Sequence, residues 1–131
     1  MHSIIRTIKC GGSIYSENVV ITAAHCCDNF HCDDPSTLTP DIVAGDVKIS
    51  DETMNDEIII RQQSRIKAFR IHPGWKQDSQ IIQNDICLLY LETPFDLTGK
   101  YVRPVELATE DPLPETNCTI SGWGAIKVIC S

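Results

Sequence analysis

Between positions 22 and 32 the chain reads Thr-Ala-Ala-His-Cys-Cys-Asp-Asn-Phe-His-Cys. These eleven residues hold two histidines and three cysteines, and three kinds of chemistry are open to them. All five are metal-ligating types. The cysteines can instead pair as disulfides. A histidine here can serve as a general base, because imidazole changes protonation near neutral pH. Structural zinc wants four ligands, at spacings such as Cys-x₂₋₄-Cys followed by His-x₃₋₅-His. Four residues separate Cys27 from Cys32 and five separate His25 from His31, but the two pairs interleave rather than follow one another. Zinc is the weakest of the three readings on those grounds.

The composition narrows the class of protein. The chain has 131 residues, which suits one domain or part of a larger β domain. Hydrophobic residues make up 42%, enough for a core, so global disorder is not expected. The formal net charge is −7. General binding to nucleic acid or to an anionic membrane needs a basic face, so neither is expected as a partner. No apolar run approaches the roughly 18 residues of a membrane-spanning helix. Seven cysteines point to an oxidising compartment. The opening Met-His-Ser-Ile-Ile-Arg-Thr-Ile-Lys-Cys-Gly-Gly nevertheless has neither the apolar stretch nor the small-residue cleavage site of a signal peptide. An odd cysteine count leaves at least one thiol without a partner in the chain. Both features suggest a piece of a longer polypeptide.

The elements that must position these residues read as strands. Short apolar runs rich in β-branched residues lie at 19–22, 41–45, 57–61 and 86–92. Asp, Asn, Gly, Pro and Ser fill the gaps between them. Many short strands at loose spacing predict an antiparallel sandwich or barrel. The polar stretch 107–117, with two prolines, reads as a connector after this first β unit. There is no internal repeat.

Three stretches carry more specific information. Residues 10–26 begin Cys-Gly-Gly-Ser and end Ala-Ala-His-Cys, residues 84–91 read Asn-Asp-Ile-Cys-Leu-Leu-Tyr-Leu, and residues 118–124 read Cys-Thr-Ile-Ser-Gly-Trp-Gly. In this order they resemble the chymotrypsin-like (trypsin-type) serine endopeptidases. The resemblance runs over essentially the whole chain and covers a little over half of that family's catalytic domain. It implies an all-β fold, an antiparallel β-barrel that is the first of two. Residues 1–107 would form the N-terminal barrel. Residues 108–131 would form a connector and the start of an incomplete second barrel, leaving apolar surface and strand edges exposed on the first.

The same resemblance assigns roles. His25 matches the histidine that acts as general base and then general acid, and Asp85 the buried aspartate that orients its imidazole. Cys10 and Cys26 match a disulfide that ties the histidine turn to the preceding strand. Cys27 and Cys87 are additional to the commonest pattern. A triad would bring their segments together, so a bridge between them is expected, with two buried free thiols as the alternative. Cys118 matches a cysteine whose partner lies beyond residue 131, and Cys32 and Cys130 have no assignment. His72 matches a turn residue, His2 and His31 are read as exposed and silent, and Trp75 and Trp123 are read as packing residues.

No cofactor is expected, with one alternative. Asp46, Asp51, Glu52, Asp56 and Glu57 lie in a loop that binds calcium in many trypsin-like enzymes. The usual glutamate spacing is not reproduced, so a solvated acidic loop is preferred over a calcium site. Asn117-Cys118-Thr119 is an N-glycosylation sequon, meaningful in a secreted chain. By resemblance the location is extracellular, and the partners are protein or peptide substrates and protease inhibitors.

The chain also departs from the family pattern. The nucleophile of these enzymes lies in a Gly-Asp-Ser-Gly-Gly stretch, and the 131 residues contain none. Ser13 and Ser121 match structural positions. The oxyanion hole and specificity pocket come from the same absent part. The start does not resemble an Ile-Val-Gly-Gly terminus, and Ala-Ile-Lys-Val-Ile-Cys-Ser does not follow the usual continuation after Gly-Trp-Gly. Both ends look cut. The 131 residues are therefore expected to be inactive by themselves. The alternative is a non-catalytic serine protease homologue that binds or regulates.

Overall fold

A computed structural model describes residues 10–28, 41–45, 61–78 and 81–122. Seven strands and one helical turn lie among them. In chain order they are β1 (Ser13–Ser16), β2 (Val19–Thr22), α1 (Ala24–Cys27), β3 (Asp41–Ala44), β4 (Gln62–Ile71), β5 (Lys76–Gln77), β6 (Ile82–Gln83) and β7 (Cys87–Leu91). Five form one curled antiparallel sheet in the order β1-β2-β7-β4-β3, and β5 pairs with β6 in a separate ribbon. The fold is the all-β, antiparallel type. No helix among the described residues is long and apolar enough to cross a membrane.

β7 lies at the centre of the sheet, paired with β2 on one side and β4 on the other. Its sequence Cys-Leu-Leu-Tyr-Leu buries every second residue, as a period of two requires. Cys87, Leu89 and Leu91 face inward, against Val20, Cys27, Ile66, Phe95 and Val102. This cluster is the core.

β4 is less regular, and the reason is local. Its inward residues are even-numbered at first, with Ser64 and Ile66 buried, and then odd-numbered, with Phe69 and Ile71 half-buried. The register against β7 shifts between Ile66 and Ala68. A bulge adds one residue and so exchanges the two faces of the strand. The strand carries Gln62, Gln63, Arg65, Lys67 and Arg70, so it has no apolar run. The run expected at 57–61 lies outside the described residues up to position 60, and β4 starts at Gln62.

The one buried polar side chain among the described residues, Ser64, is fully used. Its hydroxyl accepts from the Thr93 amide at 3.0 Å and donates to the Arg65 carbonyl at 3.2 Å. The start of β1 passes so close to β2 that a Cβ at Gly12 would sit 2.8 Å from Val20 Cγ1 and 3.0 Å from the Ile21 carbonyl. Only glycine fits there.

No strand occurs in residues 103–122, which are exposed throughout. Val105, Leu107, Leu113 and Ile120 lie bare there, Ile120 with 97% of its surface in solvent.

Candidate active site

The register between β2 and β7 positions the site. The strands are antiparallel, and Thr22 at the end of β2 faces Cys87 at the start of β7. The chain leaving β2 turns directly into α1, which carries His25. The chain entering β7 carries Asp85 two residues earlier. Two side chains 60 residues apart in sequence are thereby placed at one end of one strand pair.

Asp85 grips His25 at two points. One carboxylate oxygen accepts from the His25 amide at 2.9 Å. The other lies 2.7 Å from Nδ1 of the His25 imidazole. An ionised carboxylate can only accept, so Nδ1 carries the proton and the lone pair of a neutral ring is left on Nε2. The amide bond fixes the carboxylate relative to the backbone of α1, and the imidazole bond fixes the ring relative to the carboxylate. The His25 side chain is 54% exposed and that of Asp85 26%. The imidazole faces solvent while the carboxylate is half withdrawn. Desolvation pushes the Asp85 carboxyl up. The bonds from the His25 amide and ring, the attraction of the imidazolium and the Ala24 amide together outweigh it and hold the carboxyl below its ordinary value of 3.8.

α1 has only four residues and no side-chain cap at its start. A single turn cannot persist on its own hydrogen bonds. It is held instead by covalent ties on both sides of one peptide bond. Cys26 is joined to Cys10, ahead of β1, and Cys27 is joined to Cys87 at the start of β7. In a chain-entropy model, closing these loops restricts the unfolded chain by about 3 and about 4 kcal/mol respectively. Cys27 and Cys87 are completely buried, whereas Cys10 is exposed and Cys26 half-buried.

A further support involves residues that sequence reasoning treated as a plain turn and a packing residue. His72-Pro73-Gly74-Trp75 forms a tight turn, with the Trp75 amide bonded to the His72 carbonyl at 2.9 Å. On one side it is tied to the Asp85 segment. The Asn84 side chain donates to the Gly74 carbonyl at 2.9 Å, and the His72 amide donates to the Ile86 carbonyl at 3.0 Å. On the other side the Trp75 indole N–H donates to the Asp28 carboxylate at 2.8 Å. Asp28 caps α1. The turn therefore connects both partners of the His25–Asp85 pair through bonds outside the pair. Asn84 has φ 54°, the left-handed region that Asn tolerates better than most residues. A Cβ at Gly74 would meet the Asn84 amide nitrogen at 2.9 Å and push it away.

Asp46, Asp51, Glu52, Asp56 and Glu57 lie outside the described residues, as do His31, Cys32, Trp123 and Cys130. Asn117 is exposed on a stretch without strand, beside Cys118, an exposed free thiol. Ser13 is exposed in β1, and Ser121 is exposed near the end of the described residues.

The family model named Trypsin matches residues 1–128. The chain belongs to the trypsin family. Trypsin zeta of Drosophila melanogaster is 30% identical over 116 residues, which are 88% of this chain and 37% of that protein. Hypodermin-B of Hypoderma lineatum is 34% identical over 117 residues, 89% of this chain and 40% of its own length. A trypsin of Sarcophaga bullata is 31% identical over 117 residues, 88% and 39%. The chain thus spans well under half the length of these trypsin-family relatives. Within that span the curled antiparallel sheet is the trypsin type of fold, and disulfide bonds are typical of such secreted proteins.

Two predictions follow from the geometry. A carboxylate whose pKa is lowered by folding contributes stability above its ordinary pKa and loses it as the pH falls. The unfolding free energy of the wild type should exceed that of Asp85→Asn near neutrality, and the gap should narrow as pH drops below 3.8. Urea titrations at a series of pH values measure it, and a gap that widens on acidification contradicts the assignment. Trp75→Phe keeps the ring and removes the donor to Asp28. It should loosen α1 by about 1 kcal/mol, seen as roughly fivefold faster hydrogen exchange at the Asp28 amide. Amides of β7 should exchange at the wild-type rate.

Proposed function

We propose that this chain supplies the base and aspartate of a Ser-His-Asp triad in a secreted serine endopeptidase of the trypsin family. The observation that carries the reading is the two-point grip of Asp85 on His25, at 2.9 and 2.7 Å. In this role His25 Nε2 takes the proton from a serine hydroxyl as that oxygen attacks the scissile carbonyl. The same nitrogen then returns the proton to the leaving amine. Asp85 keeps the Nδ1 proton in place and stabilises the imidazolium formed between those steps. The substrates are proteins or peptides, and protease inhibitors are the competing ligands.

The serine, its oxyanion donors and the specificity pocket belong in this proposal to a second barrel. The bare apolar side chains of residues 103–122 support that division, with residues 1–107 as the first barrel and 108–131 as the connector and start of the second. The alternative reading is a non-catalytic homologue that binds or regulates.

Fluorophosphonate labelling separates the readings. The purified 131-residue chain should take no label, because an activated serine is needed to attack the phosphorus. The secreted polypeptide that contains this chain should label, and His25→Ala should reduce its labelling rate by on the order of a thousandfold or more. Labelling that is indifferent to His25→Ala contradicts the triad role. A verified stop codon directly after Ser131 supports the non-catalytic reading instead.

A further inference from the structure

We propose that Cys10, Cys26 and His25 form a binding site for a soft divalent cation such as zinc, and that the site is opened by reduction of the Cys10–Cys26 bridge. The two sulfurs and a ring nitrogen of His25 all lie within 4.8 Å of one another. Two thiolates and an imidazole are the donor set that a d¹⁰ cation prefers, with a water completing the tetrahedron. This set differs from the zinc reading of the sequence, which lacked Cys10 and included Cys27. In the structure Cys27 is committed to Cys87.

Burial makes the opening selective. A reductant must reach a sulfur atom to attack it. Cys10 is exposed and Cys26 half-buried, while Cys27 and Cys87 have no exposed surface. A small thiol or phosphine therefore opens the first bridge and leaves the second closed. With a thiol, the S–S bond breaks, Cys10 and Cys26 each gain a proton, and two reductant molecules leave joined as their own disulfide. On binding the cation both thiol protons pass to solvent.

The segments that carry the ligands stay in place when the bridge opens, because none of them depends on it alone. Cys26 and His25 sit on α1, which keeps its bond to β7 through the adjacent Cys27–Cys87 bridge and its bond to Trp75 through Asp28. The Cys10 segment is held by the Thr22 hydroxyl, which donates to the Gly11 carbonyl at 2.8 Å. The pairing of Ser13 with Ile21 anchors it from the other side. The backbone around each ligand is therefore held, and cation binding has only to part the two sulfurs, which are bonded to each other in the structure. The consequence for the site is direct. A cation on the imidazole occupies a nitrogen that proton transfer requires, so the oxidised bridge keeps His25 free of metal.

Cobalt serves as the probe. In a background with Cys32, Cys118 and Cys130 replaced by serine, mild phosphine reduction followed by Co²⁺ should give thiolate-to-cobalt charge-transfer absorption at one cobalt per chain. The oxidised chain should give none. Peptide mapping should find Cys27 still joined to Cys87. His25→Ala should weaken cobalt binding at least about tenfold, on the scale seen for disturbed metal sites. In the wild-type chain, which avoids the serine background, zinc should protect Cys10 and Cys26 from alkylation after reduction. Absence of the charge-transfer band, binding unchanged by His25→Ala, absence of protection, or concurrent loss of the Cys27–Cys87 bridge would each overturn the proposal.

Discussion

The antiparallel register of β2 against β7 is the constraint on which the site depends. With Thr22 opposite Cys87, the turn after one strand and the approach to the other must meet. A shift of that register by one residue would reverse the inward face of β7 and carry Leu89 out of the core. The packing that buries Leu89 and Leu91 therefore also fixes where His25 and Asp85 stand. Core and chemistry are set by the same hydrogen-bond ladder.

The ladder brings the two segments together but does not by itself hold a one-turn helix. That is done by unequal supports placed around it. The buried Cys27–Cys87 bridge ties α1 to the same strand end that presents Asp85. The exposed Cys10–Cys26 bridge ties it to the chain ahead of β1. The turn at residues 72–75 adds hydrogen bonds to both flanks. A base whose ring is held by its partner, and whose partner is held by the backbone, has little reorganisation left to do during proton transfer. An exposed His25 beside a half-buried Asp85 suits that task, since the ring must reach a reacting group while its orienter need not.

The segments that meet at His25 and Asp85, and the cysteine pairs beside them, were legible in the sequence because they stand in or next to motifs that resemble the trypsin family's. The strands β2, β3 and β7 were legible as β-branched or apolar runs. β4 was not, although it is the longest strand among the described residues. Apart from Ala68, its outward residues are charged or amide-bearing, and its bulge breaks the alternation of the two faces. The role of Trp75 was also hidden. Its partner Asp28 lies 47 residues away, and no spacing rule relates an indole on one turn to a carboxylate on another. The φ of 54° at Asn84 left no mark beyond the residue type itself.

The central claim is that Asp85 holds the His25 imidazole with its proton on Nδ1 and its lone pair on Nε2. Ring-nitrogen NMR of the ¹⁵N-histidine-labelled chain, above the pH at which the ring is protonated, reads this directly. The account predicts a His25 Nδ1 shift typical of a protonated, hydrogen-bonded nitrogen and an Nε2 shift typical of a bare one. A ring carrying its proton on Nε2, or averaging between the two forms as free histidine does, would contradict it.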